Sequence, residues 1–240
     1  QRMIGGLGDQ HLDVAAAKLK SKFGMEVKMS EPKIAYREAI RKPVTIESKY
    51  KKQSGGHGQY GHVKIEFESY DGDELMFCEK VFGGAVPKNF FPAVEKGLQE
   101  AAEHGSIGGF PVVRLKATLI DGSYHPVDSS EMAFKTAASM AFKDCMKEAQ
   151  PYLLEPVDSL KILLPDDKQG DVMSVLSKRR GSVLGMNSVG GGMTELLAEA
   201  PEAELGDFAL TLRQITQGLG EFTSEFARYD MLPPGTEIKS

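Results

Sequence analysis

The sequence predicts an α+β protein, in which helices pack on one face of antiparallel sheets. Apolar and polar residues alternate with period two over residues 44–48 and 63–68, which is typical of strands with one buried face. Apolar residues three and four positions apart follow Asp128, which is typical of a helix. From residue 160 the order is strand, helix, strand, strand, helix, strand, the ferredoxin-like plan with helices on one face of an antiparallel sheet.

The first 42 residues predict a helix and one strand. Apolar residues recur at spacings of three and four over residues 12–19, and Gly24 fits the C-terminus of that helix. Residues 26–29 then alternate as a short strand before Pro32. One helix and one strand are too little to close a core, so this segment is expected to be part of a larger unit.

Residues 43–156 predict a mixed domain. Its elements are expected in the order strand 44–48, strand 63–68, strand 75–81, helix 91–104, strand 112–120 and a second long helix. Asp128 at the N-cap position and Glu131 three residues later predict a capping box for that helix, and Pro151 marks its end. Residues 155–156 are the expected joint to the next domain.

Residues 157–240 predict the ferredoxin-like domain. Its elements are expected as strand 160–164, helix 170–178, strand 182–186, strand 193–199, helix 205–215 and strand 221–226. The basic run at residues 178–180 ends the first of these helices, where cations complement the helix dipole.

Composition is that of an ordinary soluble chain, since 240 residues with 41% hydrophobic content can bury a sizeable core. The apolar runs are far shorter than the roughly 20 residues that cross a bilayer, and no signal-like segment opens the chain. We therefore expect a cytoplasmic protein with no membrane partner. Cys78 and Cys145 lack CxxC spacing and neighbouring histidines, so we expect buried free thiols and no metal site.

The net charge of −5 is unevenly distributed along the chain. Residues 1–42 carry +4, residues 43–156 carry −4 and residues 157–240 carry −5. Any contact with RNA would therefore depend on local groups of basic side chains and not on the electrostatic field of the whole protein surface.

A glycine-rich stretch, QSGGHGQYGHV at residues 53–63, lies between two predicted strands. Glycine adopts left-handed backbone conformations at no steric cost, so this density indicates a tight reversal or a backbone that approaches another surface closely. The polar side chains in the stretch can rest on a partner or face water. The preceding Lys49, Lys51 and Lys52 suit either a solvated strand end or an RNA backbone.

Further segments match one family in the same order along the chain. They are FGGAVPKNFFPAVEKG (82–97), GSYHPVDSSEMAF (122–134), LLEPV (153–157), SKRRG (177–181), LRQITQGLGEF (212–222) and FARYDMLPP (226–234). With the glycine-rich stretch, they resemble the C-terminal part of bacterial elongation factor G over nearly the whole chain. The resemblance implies half of a ferredoxin-like domain III at residues 1–42, a ribosomal protein S5 domain 2-like domain IV at 43–156 and a ferredoxin-like domain V at 157–240.

In that family, the histidine that matches His125 lies at the tip of domain IV and reaches the tRNA and mRNA in the A site of the small ribosomal subunit. A second tip loop leads into the helix that begins near Phe91. The residues implied to contact RNA or the ribosome are Gly122, Ser123, Tyr124, His125 and Pro126; Pro87, Lys88 and Asn89; and Lys51, Lys52, Gln53, Ser54, Gly55, Gly56, Gln59 and Tyr60. The family usually has aspartate where this chain has Pro126, which favours a specialised paralogue.

The sequence contains no phosphate-binding motif G-x-x-x-x-G-K-[ST], so we expect neither catalysis nor a cofactor in this chain. By resemblance, the parent protein binds GTP and Mg²⁺ in an N-terminal domain and acts as a GTPase on the ribosome. The expected partners are the ribosome, ribosomal RNA and the paired tRNA and mRNA. A hydrolytic triad of His125, Asp128 and Ser129 is disfavoured, because helix capping accounts for two of these residues and no G-x-S-x-G elbow is present.

Two other functions stay open at this point. A paralogue that recycles or protects ribosomes would share these motifs, and a stand-alone RNA-binding module would share the fold of domain IV. We expect a monomer, although the apolar helix face within residues 1–42 could pair between chains.

Overall fold

The computed structural model of the chain describes residue 4 and residues 9–30, 32–53 and 58–239. The strands are β1 (Arg37–Ile40), β2 (Val44–Lys52), β3 (Gln59–Ser69), β4 (Met76–Glu79), β5 (Leu115–Ser123), β6 (Pro151–Pro165), β7 (Ser182–Gly190), β8 (Met193–Pro201) and β9 (Glu221–Met231). The α-helices are α1 (Asp9–Phe23), α2 (Phe91–Ala102), α3 (Glu131–Glu148), α4 (Gln169–Lys178) and α5 (Phe208–Ile215). Short 3₁₀ helices span Lys88–Phe90, Asp166–Lys168 and Glu202–Glu204. The predicted α+β class is confirmed.

The first sheet has the strand order β2, β3, β5, β4, in which β4 is parallel to β5 and the other pairs are antiparallel. Val63, Ile65 and Phe67 alternate along β3 and are fully buried beneath α3, which packs side by side with α2. Phe134 and Ala138 on α3 complete the contact, as the helical stripe predicted. Burying one large apolar side chain contributes roughly 2 kcal/mol, so this layer stabilises the first domain.

The second sheet has the antiparallel order β9, β6, β8, β7, which is the predicted ferredoxin-like arrangement. Leu176 of α4 and Phe208 of α5 are buried against it. β1 extends this sheet although it precedes the first sheet in the sequence. Leu154 of β6 pairs with Met231 of β9 on one side and with Arg37 of β1 on the other, so β1 lies along the same edge of β6 as β8.

The cap of α3 differs from the prediction. Ser130 is the N-cap residue, and its Oγ accepts a hydrogen bond of 3.2 Å from the main-chain N–H of Ala133. Asp128 lies two residues earlier, where its carboxylate accepts a hydrogen bond from the main-chain N–H of Gly58. The predicted capping box is wrong, because Glu131 is the first residue of the helix and not its third.

Residues 155–156, the expected joint between domains, lie inside a continuous strand. β6 runs for 15 residues from Pro151 to Pro165. Its first residues pair with β1, and the remainder pairs with β8 and β9. The chain thus enters the second sheet through a paired strand and not through a linker. The division into domains at residues 43–156 and 157–240 stays a prediction.

The N-terminal segment contains the predicted helix but not the predicted strand. α1 ends at Phe23, directly before Gly24, as expected. Residues 26–29 pair with no strand in the described part of the chain, because they fold back along α1, where Glu26 and Lys20 form an ion pair of 2.5 Å. The assignment of residues 1–42 to a partial domain stays a prediction. Among the described residues, no helix combines the length and apolar character needed to span a membrane.

Candidate nucleic-acid interface

Three segments meet at the end of the first domain where α3 begins. They are the C-terminal end of the glycine-rich loop, at Gly58 directly before β3, the segment leading to α2 (residues 80–90) and the loop from β5 to α3 (residues 122–130). We call this end the apex and residues 122–130 the apex loop. α3 has 18 residues, so it is about 27 Å long, and its other end leads into β6. The apex therefore lies at the end of the domain away from the second sheet.

The glycine-rich loop is bonded to the apex loop at its C-terminal end. The Gly58 N–H donates to Asp128 Oδ1 at 2.9 Å, and the Tyr60 N–H donates to the main-chain oxygen of Asp128 at 2.8 Å. Ser129 Oγ donates to the main-chain oxygen of Tyr60 at 2.9 Å and accepts from the His125 N–H at 2.8 Å. Asp128 and Ser129 therefore hold the two loops together.

The segment that leads to α2 reaches the same end through two apolar contacts. The side chain of Val86 lies against Gly122, where a Cβ atom would collide with it, so the close approach requires glycine. The ring of Phe90 stacks on that of Phe134 in the first turn of α3, with ring centroids 4.5 Å apart. Residues 87–89 lie between these contacts, and the side chains of Lys88 and Asn89 are exposed there.

A hydrogen-bonded network on the outer face of the first sheet supports the start of the apex loop. Ser123 Oγ lies 2.7 Å from the Tyr60 hydroxyl and 2.8 Å from His62 Nδ1. His62 Nε2 lies 2.9 Å from Glu47 Oε1, and Lys49 Nζ lies 5.2 Å from the centroid of the Tyr60 ring. The Ser123 hydroxyl is therefore engaged by the protein, which fixes the point where the apex loop leaves β5.

The imidazole of His125 is held by one of its two nitrogens. Its Nδ1 accepts hydrogen bonds from the main-chain N–H groups of Asp128 at 3.1 Å and Val127 at 3.3 Å, and Asp128 Oδ2 lies 3.4 Å away. A nitrogen that accepts from two donors carries no proton, so this bonding assigns the proton to Nε2. The ring is about half exposed and presents Nε2–H as a donor to a partner.

The other predicted contact residues differ in exposure. Tyr124, Pro126, Lys51, Lys52, Gln53 and Gln59 are exposed, whereas Gly122, Ser123, Tyr60 and Pro87 are half-buried, and Ser54, Gly55 and Gly56 lie outside the described residues. The side chain of Gln59 accepts a hydrogen bond of 2.9 Å from the Tyr50 hydroxyl. Contact of these residues with RNA stays a prediction.

His125, Asp128 and Ser129 lie close together but are not arranged as a hydrolytic triad. The Ser129 hydroxyl donates to the main chain of Tyr60 and accepts from the main-chain N–H of His125, so it is not bonded to the imidazole. The imidazole in turn accepts main-chain N–H groups. Loop bracing, and not the helix capping expected from the sequence, explains Asp128 and Ser129.

The cysteines are placed as structural residues. Burial raises the pKa of Cys145 to about 12, so its thiol stays protonated and unreactive. Cys78 is half-buried on β4 and not fully buried as predicted. Within the ranges that the structure describes, no three His, Cys, Asp or Glu side chains are grouped to hold a metal ion.

Two residues of the basic run at the end of α4, Arg179 and Arg180, are bonded to acidic side chains of the protein. Arg179 contacts Asp207 at 2.6 Å, and the hydrogen bond from Arg179 lowers the pKa of Asp207. Arg180 donates to both carboxylate oxygens of Glu155, at 2.6 and 2.9 Å, and the hydrogen bond to Glu155 raises the pKa of Arg180. These two guanidinium groups therefore stabilise the fold and are not presented to a partner.

Sequence reasoning missed the residues that support the apex. It assigned no role to His62 or Glu47, and it attributed Asp128 to the helix. One signal was available, because Tyr60 and His62 are two positions apart on a strand and must lie on the same face. The bonds from Asp128 and Ser129 to β3 join residues about 70 positions apart, which no local pattern indicates.

Two family models cover most of the chain. "Elongation factor G, domain IV" matches residues 32–150, and "Elongation factor G C-terminus" matches residues 152–237. An "Elongation factor G-like protein" of Thermotoga maritima is 47% identical over 240 residues, which cover 100% of this chain and 35% of that protein. A crystal structure of a protein from Thermus thermophilus superposes with a TM-score of 0.87 at 45% identity, covering 95% of this chain and 34% of the other. The chain spans about a third of the length of these relatives.

Proposed function

This chain belongs to the elongation factor G family, and we propose that it is the ribosome-binding C-terminal region of a translational GTPase whose apex promotes movement of tRNA and mRNA. The observation that carries the proposal is the apex itself. It lies away from the second sheet, and His125 and Lys88 are exposed on two of the segments that form it. The one acidic side chain of the apex loop, Asp128, is bonded to the Gly58 N–H, so the exposed residues 124–127 carry no acid, which suits a surface that approaches phosphates.

The proposed mechanism is positioning, in which no bond is made or broken. His125 donates from Nε2 to a ribose or base acceptor, and the exposed ring of Tyr124 stacks on a base or sugar. Lys88 contributes a charge for phosphate at the neighbouring segment. Because Asp128, Ser129 and Ser123 hold the loop from inside, the apex keeps its shape when it meets RNA.

We place the energy source outside this chain. The relatives are almost three times as long, and we propose that GTP and Mg²⁺ bind a domain of the parent protein that this chain does not include, in the cytoplasm. In this proposal, hydrolysis on the ribosome drives the apex into the A site of the small subunit. The chain itself supplies the surface that contacts RNA.

A second candidate is a recycling or protection paralogue, and Pro126 is the observation that favours it. Proline fixes its own backbone angle and removes one main-chain donor at an exposed position beside His125. It stands where the family usually has an acidic side chain. The two candidates differ in the product formed on the ribosome, so an assay of the intact parent protein separates them.

The test uses the parent protein with ribosomes that carry mRNA and tRNA. We expect mRNA to advance by one codon, and we expect His125→Ala to slow this movement at least tenfold. His104→Ala is the matched control, because His104 is an exposed histidine near the C-terminal end of α2, at the opposite end of the domain. Subunit splitting with recycling factor, without mRNA movement, would instead establish the second candidate.

A further inference from the structure

Phe82 is the most exposed large apolar side chain in the described residues, with 92% of its surface accessible. It follows β4 and precedes Gly83 and Gly84, whose φ angles of +65° and +70° lie in the left-handed region. Side chains at those two positions would be strained, so the turn depends on glycine. The neighbouring Phe90 and Phe91 pack against the core, whereas Phe82 faces water.

The strand that precedes Phe82 brings it to the apex. β4 runs parallel to β5, and Glu79 is paired with Leu119, four residues before β5 ends. The Lys80 N–H continues the pairing with a 2.8 Å hydrogen bond to the oxygen of Leu119. The chain then turns, and four residues after Phe82 the side chain of Val86 meets the apex loop. Phe82 therefore lies at the same end of the domain as the apex loop.

The charge around Phe82 favours a nucleic-acid partner. Residues 80–91 contain two lysines, Lys80 and Lys88, and no acidic residue. In the apex loop, which Val86 contacts at Gly122, the one acidic residue is Asp128, and its Oδ1 is bonded to the Gly58 N–H. An exposed aromatic ring in a segment that carries a lysine on either side along the chain suits single-stranded RNA, because the ring can stack on a base while lysines contact phosphates.

We propose that Phe82 stacks on an unpaired nucleobase of ribosome-bound RNA and is a binding residue of the apex beside His125. The inference rests on the proposed function, since it takes the apex to be the part of the chain that contacts RNA. It adds a contact of a different kind: His125 forms a directional hydrogen bond, whereas Phe82 supplies a flat surface that tolerates any base. Full exposure of a phenylalanine is unfavourable in the free protein, and stacking removes that surface from water.

The test measures binding of this chain to purified bacterial 70S ribosomes by cosedimentation. Phe82→Ala is expected to weaken binding roughly tenfold, within the range for loss of one stacked base. Phe82→Trp should bind at least as well as the original chain, and Phe82→Leu should bind as weakly as Phe82→Ala, because leucine is apolar but cannot stack. Phe226→Ala is the matched control, since Phe226 is an exposed phenylalanine on β9, and its binding should be unchanged.

A photoreactive benzoylphenylalanine in place of Phe82 identifies the partner directly. A ribonuclease-sensitive adduct supports the proposal, and an adduct with a ribosomal protein overturns it. Equal binding by Phe82→Ala and Phe82→Trp would also overturn it.

If His125→Ala weakens binding while Phe82→Ala does not, only this inference fails. If the original chain does not bind ribosomes, the proposed function fails first. Because Phe82 is exposed, these variants are expected to fold.

Discussion

At the end of α4, Arg179 is bonded to Asp207 and Arg180 to Glu155, whereas at the apex His125 and Lys88 are exposed. The end of α4 and the apex are both polar, and each carries basic residues within a segment that resembles the family. They differ in how the nearby acids are used: Glu155 accepts two short hydrogen bonds from Arg180, whereas Asp128 accepts the Gly58 N–H and lies 3.4 Å from His125 Nδ1. A basic residue is available to a partner when some of its donors stay free of internal acids, as does the exposed Nε2–H of His125.

The largest effect on stability is expected at the buried ion pair between Arg180 and Glu155. Arg180→Met leaves the carboxylate of Glu155, whose side chain is 3% exposed, without its main cation. Removing one partner of a buried ion pair costs about 3–5 kcal/mol, so the free energy of unfolding should fall by about that amount in urea titrations. The double variant Arg180→Met with Glu155→Gln should recover much of the loss, since it removes the buried charge. A loss below about 1 kcal/mol in the single variant would mean that the pair is hydrated.

A smaller effect is expected at the apex. Asp128→Ala removes the acceptor of the Gly58 N–H and should cost about 1.5 kcal/mol, typical of a hydrogen bond to a charged group. The informative measurement is amide hydrogen exchange, which should become faster at Gly58 and Tyr60 and stay unchanged in the second sheet. Asp128→Asn keeps an oxygen acceptor and serves as the control. Unchanged exchange in the alanine variant would contradict the bracing role of Asp128.

The helix cap gives an independent test beside the same loop. Ser130→Ala should destabilise the protein by about 1 kcal/mol, because the N–H of Ala133 loses its acceptor. In thermal unfolding, Ser130→Asp should restore the stability, since aspartate caps equally well. If Asp128 were the cap, Ser130→Ala would have no effect and the exchange of Gly58 would not respond to Asp128→Ala.

The smallest effect on stability is expected from Glu202, whose carboxyl group lies near that of Asp158. Burial, followed by the charge of Asp158, raises the pKa of Glu202. A raised carboxyl pKa means that the folded state binds the proton more tightly, so stability is lost as pH rises through the titration range. Glu202→Gln should therefore increase the unfolding temperature slightly at pH 7. The gain should vanish below the ordinary pKa of glutamate, about 4.3. A gain that persists at pH 3 would point to a packing effect instead.

Local patterns predicted most of the fold. The alternation along β3, the stripe of α3 and the order of elements after residue 160 are all set by neighbours in the sequence, and the structure confirms them. The pairing of β1 with β6 was not predicted, because it joins residues more than 100 positions apart. The strand at residues 26–29 was predicted from alternation alone, and alternation does not supply a partner strand.

The site was predicted less completely than the fold. The resemblance identified the apex loop and the segment at Lys88, and the structure brings both to one end of the domain. The bracing residues were misread, because serine and aspartate before a helix suit capping and loop bonding equally well. Ser130 satisfies the helix, which leaves Asp128 and Ser129 for β3. Only the hydrogen-bond distances in the structure distinguish the residue that caps the helix from the residues that hold the loop.

The uninterrupted course of β6 has a mechanical consequence. Its 15 residues join α3 to the ferredoxin-like sheet, and β6 is hydrogen-bonded along one edge to β1 and β8 and along the other to β9. Antiparallel hydrogen bonds stand perpendicular to the strand, so tension applied lengthwise loads many rungs in shear at once and does not peel them singly. Force applied at the apex and transmitted along α3 would therefore act on a rigidly paired strand. A displacement of the apex would move the second sheet with it.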